Sequence, residues 1–157
     1  MSFYKISSRA FFACLFLMTT AHAADSLKIE NAWSPEAPPV AKVMAGYMKI
    51  YNNSSKDIKI LSAHSKSFDR VEIHLTEMKG GMMRMEKQEN LNIKANSHIE
   101  LKPGGLHMML MGKQAPIKSG SIIPVILTLD NGEKATIKLT VKVNNDAEEM
   151  HHHHHHH

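Results

Sequence analysis

The sequence predicts an all-β domain, a sandwich or barrel, on three observations. No window of 12 or more residues carries a helical period of apolar positions. Short apolar runs recur at regular spacing with turn residues between them, the pattern of strands that pack as a sandwich or close into a barrel. Asn131-Gly132 stands between two such runs, and Asn-Gly in that setting is among the strongest short-range hairpin signals.

The elements follow in chain order. Leu27, Ile29 and Trp33 alternate with Lys28 and Glu30, which predicts a half-buried strand. Pro35, Pro38 and Pro39 break it into a loop, since each removes a backbone donor. Strand character resumes from Val43 to Tyr51, and the polar turn Asn52 to Asp57 leads to a third run from Ile58 to His64. A fourth runs from Arg70 to Met78 and, after Gly80-Gly81, a fifth from Met82 to about Gln88. Leu91 and Ile93 lead to a short strand at His98 to Leu101, and Pro103-Gly104-Gly105 turns the chain into Leu106 to Met111. Ile122 to Leu129 and Ala135 to Val143 are the arms of the Asn-Gly hairpin.

Domain organisation is simple. Lys5 and Arg9, the apolar run Ala10 to Thr20 and the Ala21-His22-Ala23 step read as a cleavable export leader over residues 1–23. The run is too short to span a bilayer. Residues 24–144 form one domain's length of chain, with enough residues for a core of its own. Residues 145–157 form a tail ending in His151 to His157, which reads equally as an expression tag or as part of the gene product. Cys14 lies in the leader, so the mature domain holds together without disulfides. The formal net charge is +4 with the lysines scattered, which offers no stripe for nucleic acid.

Chemistry concentrates between Val71 and Met111, where His74, Met85, His107 and Met109 sit among strands joined by glycine turns. Imidazole and thioether donors, with neither carboxylate nor thiolate among them, suit a soft monovalent metal, Cu(I) above all. Parity brings the donors together. If Gly80-Gly81 is a two-residue turn, Lys79 faces Met82 and Met85 faces Thr76, so Met85 and His74 share a face. His107 and Met109 are two apart on one strand and point the same way, with Leu106, Met108 and Leu110 turned to the core. Met44, Met48, Met78 and Met108 read as packing, and His64 and His98 as exposed residues with no partner at ligand spacing.

The spacing His74, ten residues, Met85, twenty-one residues, His107, one residue, Met109 resembles the H-x10-M-x21-H-x-M motif of the periplasmic copper chaperone family PCuAC. The likeness extends to Ala32-Trp33, Ala45-Gly46-Tyr47-Met48, Lys102-Pro103-Gly104-Gly105 and Leu110-Met111-Gly112, and so covers nearly all of the mature domain. The resemblance implies a single cupredoxin-like Greek-key β-barrel that binds Cu(I) through His74, Met85, His107 and Met109. It also implies a periplasmic location and delivery of copper to the CuA centre of cytochrome c oxidase subunit II. Some family members carry a His- and Met-rich tail with a role in Cu(II) binding, which implies the same ion for His151 to His157 here.

Three other functions set limits. A blue-copper electron carrier needs a cysteine thiolate beside its histidines, and residues 24–157 contain no cysteine. A hydrolase would carry G-x-S-x-G, H-E-x-x-H or a cysteine nucleophile, none of which is present, so the chain reads as a non-enzyme. A metal-free β-sandwich that binds a protein through its methionines is the third.

Overall fold

The computed structural model describes residues 26–143; the expected leader and the tail from residue 145 lie outside them. Ten strands make up the described chain: β1 (Leu27–Pro35), β2 (Val43–Asn52), β3 (Ile58–His64), β4 (Phe68–Lys79), β5 (Met82–Lys87), β6 (Leu91–Ile93), β7 (Ser97–Leu101), β8 (Leu106–Lys113), β9 (Ile122–Leu129) and β10 (Lys134–Lys142). Among the described residues no helix is long and apolar enough to cross a membrane.

Seven strands close a barrel in the order β4-β8-β2-β1-β10-β9-β3, and the pairing of Ala63 with Val71 joins β3 back to β4. Closure removes the open sheet edges that would otherwise recruit other chains. Neighbours are antiparallel except β1 and β10, which run parallel. The remaining strands are additions: β5 on β4, β6 on β3 and β7 on β2.

Alternation builds the core. Ile123, Val125, Leu127 and Leu129 of β9 face inward with Ile137, Leu139 and Val141 of β10, while Met44, Met48 and Ile50 fill the side under β2. Ile73, Met108 and Leu110 complete it beneath β4 and β8. The buried Asn52 is fully engaged. Its amide donates to the carbonyls of Lys56, Ile93 and Lys94, and its oxygen accepts from Ser54. That network ties the end of β2 to the segment joining β6 and β7, and it meets the rule that buried polar groups are bonded.

One detail departs from the sequence reading. In β1 the pairing shifts by one residue between Glu30 and Trp33, and Asn31 has φ 52°. This is a β-bulge with asparagine in the left-handed region, where its side chain is tolerated. The extra residue reverses the alternation, so Ser34 rather than Trp33 is buried. At the β9–β10 hairpin, Gly132 alone takes a positive φ, of 83°, and Leu129 pairs with Glu133 around a three-residue loop. The hairpin is therefore the type I turn with a glycine bulge, with Asn131 Oδ1 accepting from the amide of Glu133 at 2.9 Å.

Candidate metal centre

Strand β4 serves two neighbours. Residues Phe68 to Leu75 pair with β8, and His74 to Lys79 pair with β5, so His74 is flanked by Lys87 on one side and His107 on the other. Gly80 and Gly81 have φ 60° and 77°, the pair of positive values that a two-residue type I′ turn requires. The turn sets the register: Lys79 opposes Met82, and Thr76 opposes Met85. Met85 and His74 lie on one face, as the pairing parity demands.

That face is the one turned away from the barrel core. Its cross-strand rows read Arg70–Met111–Val43, then Glu72–Met109–Ala45, then Lys87–His74–His107, then Met85–Thr76. All four sequence-predicted residues therefore occupy adjoining rows of one surface. His74 and His107 are direct partners, with ring centroids 6.1 Å apart and planes inclined at 39°. Met85, His107 and Met109 line a shallow depression together with Thr76, Ala45 and Tyr47. His74 stands beside this depression rather than in its lining.

Hydrogen bonds fix both imidazoles. His107, 8% exposed, has Nδ1 2.9 Å from the carbonyl oxygen of Gly105. A carbonyl only accepts, so Nδ1 carries the proton and Nε2 keeps its lone pair. The same carbonyl accepts from the Thr76 amide at 3.1 Å, which ties the turn before β8 to the rim of the hairpin. His74 is held from the opposite ring nitrogen: Nε2 lies 2.8 Å from Oε2 of Glu72. Its Nδ1 is buried and has no hydrogen-bond partner. Nδ1 of His74 thus keeps an unengaged lone pair, and in His107 the lone pair lies on Nε2.

Glu72 is a hub. Besides His74 it meets Arg70 Nε at 3.3 Å and Lys87 Nζ at 3.6 Å. The hydrogen bond from His74, and after it the Lys87 and Arg70 cations, hold its carboxyl below the ordinary carboxylate range against the opposing effect of burial. Among the described residues no group of three or more His, Cys, Asp or Glu side chains is gathered for a metal ion.

The remaining candidates divide. Met44, Met48 and Met108 are buried as expected, at 3%, 2% and 0% exposure. Met78 is not packing: it is 67% exposed, because β4 has left the barrel by that point and pairs only with β5. His64 and His98 are exposed, the latter stacked on Tyr51 at 5.1 Å. Two contributors escaped the sequence reading. Glu72 shares parity with His74, but an outward acid on a strand ordinarily reads as a solvated position. Trp33 is carried to the outer face by the Asn31 bulge, where it packs on Tyr47 at 5.0 Å and receives Lys142 Nζ at 5.5 Å from its ring centroid.

Comparison with known proteins adds independent information. The family model of LpqE-like lipoproteins matches residues 27–141. A protein of Leifsonia xyli subsp. xyli (strain CTCB07) named "Putative lipoprotein Lxx21020" is 30% identical over 134 residues, spanning 85% of this chain and 80% of that one. Among solved structures, the solution structure of CuI-DR1885 from Deinococcus radiodurans is 29% identical with a TM-score of 0.63, covering 81% of this chain and 85% of the other. The copper-bound PCuAC domain from PmoF2 superposes with a TM-score of 0.64 at 18% identity, over 76% of this chain and 94% of that domain. The barrel is cupredoxin-like, as the resemblance implied.

Proposed function

The chain belongs to the LpqE-like family, which is the PCuAC family, and on that premise we propose that it is a periplasmic copper chaperone. It takes Cu(I) as cargo on His74, Met85, His107 and Met109 and passes it to a copper enzyme, the CuA site of cytochrome c oxidase subunit II. The ligand atoms are Nδ1 of His74, Nε2 of His107 and the two thioether sulfurs.

The observation that carries this reading is the buried, unengaged Nδ1 of His74 on the residue directly opposed to His107, whose own lone pair lies on Nε2. A buried ring nitrogen without a partner loses its hydration with no compensating bond, and ligation of an ion would satisfy it. The ring separation fits. Imidazole binds first-row metals at about 2.0–2.1 Å, which sets a ring centroid about 3.2 Å from the ion and two ligating rings at most about 6.4 Å apart. The centroids of His74 and His107 are 6.1 Å apart. Met109 lies two residues from His107 on β8, and Met85, 53% exposed, lines the same depression from the hairpin.

The donor set supports a carrier. Two imidazoles and two thioethers are all neutral, so they hold Cu(I) by softness rather than charge. An acceptor offering thiolates then receives the ion downhill. The name of the Deinococcus relative pairs it with Cu(I), and the lipoprotein names of the family and of the Leifsonia relative support export.

The test is a Cu(I) competition titration on single variants. Alanine at His74 or His107, and leucine at Met85 or Met109, should each weaken binding. Met111→Leu, one row away on the same face, should not. Equal losses at Met111 and Met109 would refute the quartet. Delivery is tested by mixing the Cu(I)-loaded chain with the metal-free soluble domain of subunit II, separating them and measuring copper in each. Copper retained by the chain contradicts the proposed recipient.

A further inference from the structure

We infer that the outer end of the β4–β5 hairpin is a second, weaker Cu(I) site, built on the thioether sulfurs of Met78 and Met83 and sharing Met85 with the main centre. The inference rests on the Cu(I) reading of that centre and extends it to the path by which the ion arrives.

Register carries the first part. Met78 and Met83 are direct cross-strand partners, and Met83 and Met85 are two apart on β5. All three therefore project from the face that bears His74. Directly opposed residues have Cβ atoms about 4.5–5.5 Å apart, within the span of two long, unbranched side chains converging on one ion.

Composition carries the second part. The hairpin separates its side chains by face. Glu77, Lys79, Arg84 and Glu86 point the other way together with Met82, with Lys79 meeting Glu77 at 4.0 Å and Glu86 at 3.8 Å. Towards the tip the site face holds three methionines, beyond Thr76 and Lys87, with Met78 67% and Met83 68% exposed. A face shaped only for apolar contact would be served better by β-branched residues, which favour strands. Sulfur is what these three positions have in common, and thioether is a soft donor that selects Cu(I).

The geometry orders the steps. Met78 and Met83 lie nearest the open Gly80-Gly81 tip, Met85 lies next, and the half-buried His74 with the buried His107 lies last. An ion bound first by Met78 and Met83 exchanges one thioether for Met85 and then the other for imidazole. Every step is ligand exchange at constant charge, with no electron transferred.

The test uses the full chain with methionine methyl groups labelled with carbon-13, titrated with Ag(I) as a diamagnetic, air-stable stand-in for Cu(I). The first equivalent should shift the methyl signals of Met85 and Met109, and further Ag(I) should shift Met78 and Met83. Met78→Leu with Met83→Leu should abolish the second event and preserve the first; both positions are solvent-exposed, so the fold survives. Among the methionine methyl signals, silver held by the histidine tail would be read at Met150, its neighbour in sequence, and so is told apart from silver at Met78, Met83, Met85 or Met109. If Met78 and Met83 stay unmoved while Met85 and Met109 respond, the second site is refuted and the main centre stands. If Met85 and Met109 fail to respond, the main centre itself is wrong. Shifts of Met78 and Met83 only on addition of an acceptor protein would make them a docking face and overturn the inference.

Discussion

Nε2 of His74 and Oε2 of Glu72 lie 2.8 Å apart, and this contact decides which nitrogen of His74 remains available. A carboxylate accepts, so it keeps the proton on Nε2 and the lone pair on Nδ1. Outer-shell partners of this kind typically change metal affinity by about 10–100-fold when removed. Glu72→Ala should weaken Cu(I) binding by about that factor in a chelator competition assay. Glu72→Gln retains an acceptor oxygen and should recover most of the loss. Equal affinities for the alanine variant and the parent would show that the contact does not position the ring.

The same carboxylate links stability to pH. Glu72 is depressed from its ordinary value of 4.5, first by the His74 hydrogen bond and then by Lys87 and Arg70. A depressed carboxyl stabilises the fold fully above its unfolded value, and that contribution is lost as pH falls through the folded value. The metal-free protein should therefore lose stability as pH drops from about 5 towards 3. Glu72→Gln should flatten that part of the profile, as read by thermal melting at a series of pH values. An unchanged slope in the variant assigns the acid loss to other carboxylates.

Met108 and Met109 are adjacent in sequence and opposite in fate. Met108 is 0% exposed in the core, while Met109 lines the outer depression. Met108→Ala should cost about 2–5 kcal/mol in denaturant unfolding. Met109→Leu conserves volume and should cost less than about 1.5 kcal/mol, yet lose Cu(I) affinity. A large loss of stability from Met109→Leu would mean that residue packs rather than binds.

Oxidation should separate the methionines along the same line. Met85 is 53% exposed and Met108 fully buried, so mild peroxide should convert Met85 to its sulfoxide well before Met108, as followed by peptide mass spectrometry. A sulfoxide replaces the soft donor with a polar group, and Cu(I) affinity should fall in step with oxidation of Met85 and Met109. Full affinity after complete oxidation at both positions excludes thioether ligation.

Much of the fold was legible because strand parity is discrete. The Gly80-Gly81 turn admits one register, and that register sends Met85 to the side of His74. What escaped the sequence reading arose where parity is broken or an element leaves its neighbours. The bulge at Asn31 adds a residue with no stronger signal than an asparagine, and it moves Trp33 from the expected core side to the outer face. Met78 reads as core filler until β4 is seen to extend past the barrel. Glu72 lay in view, two residues from His74, but its role depends on a ring nitrogen and not on spacing. The family motif marks the proposed ligand positions, whereas the atoms that would orient them emerge only from hydrogen-bond geometry.

The most direct test of the four-ligand centre is copper K-edge absorption on protein lacking His151 to His157 and loaded with one equivalent of Cu(I). Two nitrogen and two sulfur neighbours are predicted, with sulfur scattering reduced in Met85→Leu and in Met109→Leu. A first shell of nitrogen or oxygen alone, or sulfur scattering indifferent to both substitutions, would contradict it.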